Sequence, residues 1–199
     1  MEIKICGIRR EEDIHIINKY KPEYIGFIFA DTWRKVTPVE AARLSDMIAG
    51  DTKTVGVFVN APYEEIYEAV NTAHLDVVQL HGDEDDEYIK NLNVNCEIWK
   101  AVRVRDGADI PDINGVDKIL LDKYAEKEYG GTGKTFDWSS VGRINTNKPI
   151  ILAGGLNKNN VKNGIEIFSP VCVDVSSSVE TDRIKDEVKI KEFIDTVRK

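Results

Sequence analysis

Short runs of β-branched and other apolar residues alternate along this chain with longer stretches in which apolar positions recur every three or four residues. The first pattern reads as a buried strand and the second as an amphipathic helix, because side chains repeat every two residues along a strand and about every 3.6 along a helix. Strands are predicted at 2–6, 24–29, 54–59, 77–80, 97–102, 118–121, 150–152 and 171–173. Helices are predicted at 11–20, where Ile14 and Ile17 share a face, at 38–48, opening on Pro38, and at 63–72, with Ile66, Ala69 and Val70. Three more are expected at 85–92, 157–165 and 186–197, whereas 106–115 is poor in helix signals and reads as loop.

Strands separated by helices imply parallel pairing, since a parallel connection needs about a dozen residues and is usually helical. Eight such units fit an α/β fold closed into a (β/α)8 barrel, the TIM-barrel architecture, with short loops. The 199 residues fall below the about 250 of a typical barrel and leave room for one vestigial helix. An open doubly wound sheet is the rival, but its Gly-x-Gly-x-x-Gly turn is missing where Cys6-Gly7-Ile8-Arg9 follows the first strand. No linker or low-complexity segment interrupts the pattern, so 1–199 reads as one catalytic domain.

Composition narrows the function. Hydrophobic residues make up 42% and charged residues 31%, as in an ordinary globular protein. No apolar run approaches the roughly 20 residues of a membrane span, and the N-terminus has no signal-peptide pattern, so a cytoplasmic protein without membrane contact is expected. A formal net charge of −8 argues against a nucleic-acid partner and requires locally placed cations for any anionic substrate. Cys6, Cys96 and Cys172 stand singly, with neither a disulfide framework nor a metal-ligand spacing, and His15, His74 and His81 add no metal set.

In such barrels the reacting groups lie at the C-terminal ends of the strands. Those ends offer Cys6, Arg34 in the loop after strand two, Gln79 and His81, Asp122, Gly154-Gly155, and Asp174 followed by Ser176-Ser177-Ser178. Residues two apart share a face, so Cys6 goes with Lys4, His81 with Gln79 and Asp174 with Cys172. An inward Lys4 would be a buried cation in need of a carboxylate, and Asp174 is the candidate partner. Cys6 is either an inert core thiol, the commoner fate of an isolated cysteine, or a reactive one at a mouth opened by Gly7. Asp122 either holds a turn or serves as a general acid. Arg34 is either solvated or a fork for a substrate carboxylate, and His81 is either structural or functional. The Gly154-Gly155 pair and the serines at adjacent strand ends favour a phosphate, which backbone N–H groups and hydroxyls can hold. The run Gly130-Gly131-Thr132-Gly133-Lys134-Thr135 has Glu128 where a P-loop needs glycine, and reads instead as a mobile loop over the site, with Asp137 capping a short helix.

The ordered series Lys4-Ile5-Cys6-Gly7-Ile8, Gly26-Phe27-Ile28-Phe29, Arg34 ahead of Val36-Thr37-Pro38, Gly56-Val57-Phe58-Val59 and Val78-Gln79-Leu80-His81-Gly82 covers the first half of the chain. Leu121-Asp122, Gly130-Gly131-Thr132-Gly133, Phe136-Asp137-Trp138, Leu152-Ala153-Gly154-Gly155-Leu156 and Asp174-Val175-Ser176-Ser177 complete it. In this order the motifs resemble the phosphoribosylanthranilate isomerase family of tryptophan biosynthesis over nearly the whole length. The resemblance implies an Amadori rearrangement of N-(5-phosphoribosyl)anthranilate to 1-(2-carboxyphenylamino)-1-deoxyribulose 5-phosphate, with no cofactor and no metal. It implies Asp122 as the general acid that opens the ribose ring, Cys6 as the general base, and Arg34 on the anthranilate carboxylate. Gln79, His81 and Asp174 would contact substrate, Gly154, Gly155, Ser176 and Ser177 would hold the phosphate, and Gly130, Gly131 and Gly133 would form the mobile loop. A monomer or homodimer is expected.

Three positions depart from the family pattern. Arg9 replaces a small hydroxyl residue, Thr32-Trp33 replaces a Ser-Pro or Ser-Lys pair, and Ser178 replaces a glycine, which would strain the phosphate loop if that position needs a positive φ. The rival readings are another phosphate-binding barrel of tryptophan or histidine biosynthesis, or an inactive barrel kept as a binding subunit. An indole-glycerol-phosphate synthase should carry a catalytic lysine and glutamates at strand ends, and the histidine-pathway isomerase an aspartate ending strand one, where this chain has Cys6.

Overall fold

The structure is a computed structural model and describes residues 1–104, 109–123 and 143–199. Eight strands, β1 (Glu2–Cys6), β2 (Tyr24–Ile28), β3 (Lys53–Phe58), β4 (Val77–Leu80), β5 (Glu97–Val104), β6 (Lys118–Lys123), β7 (Ile150–Leu152) and β8 (Cys172–Val175), pair in parallel in sequence order. β8 returns to pair with β1 and closes the barrel, with Lys4 opposite Tyr24 on one side and Asp174 on the other. Among the described residues the α-helices are α1 (Glu11–Tyr20), α2 (Pro38–Ser45), α3 (Tyr63–Ala73), α4 (Asp86–Asn91), α5 (Val161–Phe168) and α6 (Glu187–Arg198).

Local sequence explains these boundaries. The Thr37 hydroxyl accepts from the Glu40 N–H while the Glu40 carboxylate accepts from the Thr37 N–H, and Pro38 fills the first helical position, so α2 starts where two free donors are satisfied. Each helix turns its apolar stripe inward: Ile14 and Ile17 on α1, Ala41 and Leu44 on α2, Ile66 and Ala69 on α3 are all buried. These pack with Ile3, Ile5, Ile25, Phe27, Leu121 and Val173 in an outer core between strands and helices. Tyr24, Val55, Val77, Trp99, Leu120, Ile151 and Cys172 form a separate inner core. Strands buried on both faces read as continuous apolar runs, which made them legible in the sequence.

Several expectations change. β8 ends at Val175 rather than 173, and places Asp174 inside the strand. α5 starts at Val161 rather than 157 because Asn157 and Asn160 form a hydrogen-bonded turn first, the Asn160 side chain accepting from the Asn157 N–H at 2.8 Å. α2 stops at Ser45, and His74, taken as helical, caps α3 with φ of 49°. The described part of the predicted loop, 109–115, contains no helix. Between β8 and α6 lies a hairpin the pattern did not predict, β9 (Glu180–Thr181) against β10 (Ile184–Lys185). The predicted mobile loop with Gly130, Gly131 and Gly133, and the cap at Asp137, lie outside the described residues.

Candidate active site

Strand alternation assembles the site. Leu120, Val77 and Cys172 belong to the inner core, so Asp122, Gln79 and Asp174, each two residues further on, face the same interior. Lys4 donates from Nζ to Asp174 Oδ2 at 2.9 Å and is fully buried, which puts Lys4 and hence Cys6 on that face as well. The predicted Lys4–Asp174 pair is therefore present. Cys6, Gln79, Asp122 and Asp174 crown the interior at the C-terminal ends of β1, β4, β6 and β8.

On one side a hydrogen-bonded chain runs through three side chains. The Gln79 amide nitrogen lies 2.7 Å from His81 Nδ1, and His81 Nε2 lies 2.9 Å from Asp122 Oδ2. With the amide donating to Nδ1, Nε2 carries the ring proton and donates to the carboxylate. The loop that carries His81 is fixed by a buried pair: Glu84 accepts from the N–H of Gly82 at 2.9 Å and of Asn60 at 2.8 Å, and Lys100 donates to Glu84 at 2.9 Å and to the Gly82 carbonyl at 2.8 Å. Two buried acceptors, Gln79 Oε1 and Asp174 Oδ1, have no donor among the described residues.

On the other side stands Cys6, buried among charges. Burial pushes its thiol above the usual range, the neighbouring Lys4 and Lys185 ammonium groups pull it down, and the Asp174 carboxylate pushes it up again. Burial works against the charge on Lys4, but Asp174 and Cys6 overcome it and hold Lys4 protonated. Burial drives the Lys185 ammonium below its ordinary value, with Glu180 acting against that shift.

Arg34 reaches the mouth from the β2 loop. Its Nε and Nη2 donate to Glu180 at 3.0 and 2.7 Å, and Glu180 also accepts from Lys185 at 2.7 Å. The substrate carboxylate that Arg34 was expected to bind thus has a protein counterpart in Glu180, which occupies one edge of the guanidinium. Gly7, with φ of 84°, lets the arginine stem pass, because a Cβ there would lie 2.7 Å from Arg34 Cδ. The Ser176 hydroxyl donates to the Cys6 carbonyl at 3.0 Å and joins the β8 loop to β1.

Gly154 and Gly155 both take positive φ, 82° and 74°, and among the described residues their N–H groups donate to no backbone acceptor. Successive amides in this conformation form an anion-binding concavity. Ser177 and Ser178 lie in a short 3-10 turn, Ser177–Val179, beside it. The concern over Ser178 is removed: its φ is not positive, and its hydroxyl donates to the Leu156 carbonyl and ties the two loops together.

Glu180, Lys185 and the Glu84–Lys100 pair carry geometry that the sequence did not single out. The sequence signals for them are Glu180 two residues after the serine run, and Asp182 as a turn former between Glu180 and Lys185.

A sequence model described as N-(5'-phosphoribosyl)anthranilate (PRA) isomerase matches residues 3–196. The chain is 50% identical to the N-(5'-phosphoribosyl)anthranilate isomerase of Clostridium acetobutylicum, over 100% of this chain and 98% of that protein. It is 46% identical to the Thermoanaerobacter pseudethanolicus enzyme of the same name, with the same coverage. The crystal structure of phosphoribosyl anthranilate isomerase from Thermotoga maritima superposes with a TM-score of 0.84 at 32% identity, covering 100% of this chain and 98% of that one. Another crystal structure, an isomerase in complex with reduced 1-(o-carboxyphenylamino)-1-deoxyribulose 5-phosphate, gives a TM-score of 0.80 at 30% identity, again over 100% and 98%. With a closed eight-strand (β/α)8 barrel and relatives matched end to end, the chain belongs to the N-(5'-phosphoribosyl)anthranilate isomerase family.

Proposed function

We propose that this chain, as one catalytic barrel over residues 1–199, rearranges N-(5'-phosphoribosyl)anthranilate to the 1-deoxyribulose 5-phosphate in tryptophan biosynthesis, with Asp122 as general acid and Cys6 as general base. The observation that carries the reading is that Cys6 and Asp122 face one interior from strands three places apart in an eight-strand ring. An acid and a base so placed address a bound ribose from two sides.

The steps follow from this placement. Asp122 gives its proton to the ribose ring oxygen, the C1'–O bond breaks, and the nitrogen lone pair forms a protonated imine. The cationic imine acidifies the C2' proton, which the Cys6 sulfur removes, and the C–H electrons move into an enolamine. Ketonisation at C2' and protonation at C1' complete the exchange. C2' is oxidised and C1' reduced within one molecule, so the reaction needs no external redox partner.

His81 holds one oxygen of Asp122 and so fixes the direction of proton delivery, and the free acceptors of Gln79 and Asp174 suit ribose hydroxyls. The outer edge of Arg34 serves the anthranilate carboxylate, while the amides of Gly154 and Gly155 with Ser176 and Ser177 serve the phosphate. Fixing both ends of the substrate sets the ribose between acid and base, where positioning lowers the barrier. The protein acts in the cytoplasm as a monomer or homodimer, the second being the state named for a Thermotoga maritima relative. The test is loss of phosphoribosylanthranilate fluorescence with purified protein: turnover is expected, and its absence would sink the assignment.

A further inference from the structure

Two of the departures from the family pattern, Arg9 and Trp33, meet at one place. The indole of Trp33, 39% exposed at the mouth, has Arg34 Cζ at 4.1 Å from its ring centroid and both Arg9 and Arg183 Cζ at 5.3 Å. Three guanidinium groups thus gather on one aromatic ring of a protein whose net charge is −8. Glu180 is shared between Arg34 and Lys185, and among the described residues neither Arg9 nor Arg183 is ion-paired. Arg9 Nη2 donates to the Arg183 carbonyl at 3.2 Å.

Such a cluster repels itself within a distance shorter than the screening length of about 10 Å at moderate salt, and an arriving anion relieves that repulsion. The backbone points the same way. Arg183 sits at the β9–β10 hairpin tip with φ of 64°, next to Asp182 at 50°. A two-residue turn with positive φ at both positions favours Asn-Gly, so an arginine there is held in a conformation that glycine would adopt without cost.

We propose that Arg9 and Arg183, gathered on Trp33, form an outer anion site that captures the aromatic carboxylate of the substrate ahead of Arg34. The proposal rests on the isomerase reading for its substrate. The exposed part of the indole offers apolar contact to the aryl ring, and the Arg9 and Arg183 guanidinium groups, not ion-paired among the described residues, attract a carboxylate toward a protein whose overall charge repels it. Arg34, fixed by Glu180, receives the carboxylate further in.

The experiment uses the full chain, Arg9→Ala, Arg183→Gly and the double variant. At low salt KM should rise about threefold for each substitution, the size of an exposed ion-pair effect, with kcat unchanged. The fall of kcat/KM with added salt should be shallower in the double variant than in the parent. Because glycine suits the turn, Arg183→Gly should keep or raise Tm, which separates its KM effect from misfolding. An unchanged KM and salt response in the double variant would overturn the proposal. If the parent lacks isomerase activity, the functional assignment fails instead, and calorimetry with anthranilate alone still decides the outer site. Weaker anthranilate binding in the double variant, with inorganic phosphate binding preserved, supports it. Equal anthranilate binding in both proteins, or loss of phosphate binding as well, overturns it.

Discussion

Asp122 is held through hydrogen bonds, with His81 at 2.9 Å and Gln79 behind it at 2.7 Å, whereas Cys6 is surrounded by buried charges, Lys4, Asp174 and Lys185. The difference matches what the proposed roles ask of each group. An acid that protonates a ring oxygen needs its proton aimed, and a chain of hydrogen bonds fixes direction. A base that starts as a buried thiol needs its proton affinity set, and cations close by stabilise the thiolate. The acid side is thus a problem of orientation and the base side one of electrostatics, so substitutions around the two should fail in different ways.

The largest effect comes from removing either group itself. Cys6→Ala or Asp122→Asn is expected to lower kcat by about 10²- to 10⁴-fold, the usual range for a general acid or base, with little change in Tm. A variant that kept full activity would remove its residue from the mechanism.

Lys4→Met tests the electrostatic side through stability. It leaves Asp174 buried without its cation, which should cost about 3–5 kcal/mol in urea unfolding, because breaking one half of a buried pair strands the other charge. His81→Ala should act on rate instead, lowering kcat up to roughly tenfold through loss of the hydrogen bond that aims the acid, while stability changes less than in Lys4→Met. If the two variants showed the reverse pattern, the division between orientation and electrostatics would be wrong.

The pH dependence sharpens the base side further. Burial raises the Cys6 thiol, so the thiolate forms only on the alkaline side, and the thiolate absorbance that Cys6→Ala removes should climb with pH until the thiol has titrated. Lys185 pulls that thiol down, so Lys185→Gln should move the climbing limb to higher pH, whereas a purely structural role would leave it in place. Smallest of all, Ser178→Ala removes the hydroxyl bonded to the Leu156 carbonyl and should cost about 0.5–1.5 kcal/mol of stability, with kcat retained.

The barrel was legible because its strands are buried on both faces: β1, β4 and β7 end where the apolar runs end. Where a charged residue continues a strand, the pattern stopped early. Asp174 reads as a loop residue until its buried partner Lys4, 170 positions away, is known, and β5 runs on through Arg103 because Arg103 pairs with Asp122 across the sheet. The predicted site residues at β1, β4, β6 and β8 come together because alternation along a strand needs no knowledge of distant neighbours. Glu180 bonding Arg34 across 146 positions, or Lys100 closing on Glu84, depends on tertiary pairing and leaves no local signature. The serine at 178 illustrates the converse: a family pattern suggested strain there, while the local backbone has none and uses the hydroxyl.

The central claim is that Asp122 opens the ring and Cys6 then takes the C2' proton. Substrate deuterated at C2' separates these steps through its kinetic isotope effect on kcat. Weakening the base in Cys6→Ser should make proton removal limiting and raise the isotope effect above that of the parent. Weakening the acid in Asp122→Asn should make ring opening limiting and drive the effect toward one. The same response in both variants, or the larger effect in Asp122→Asn, would contradict the assignment.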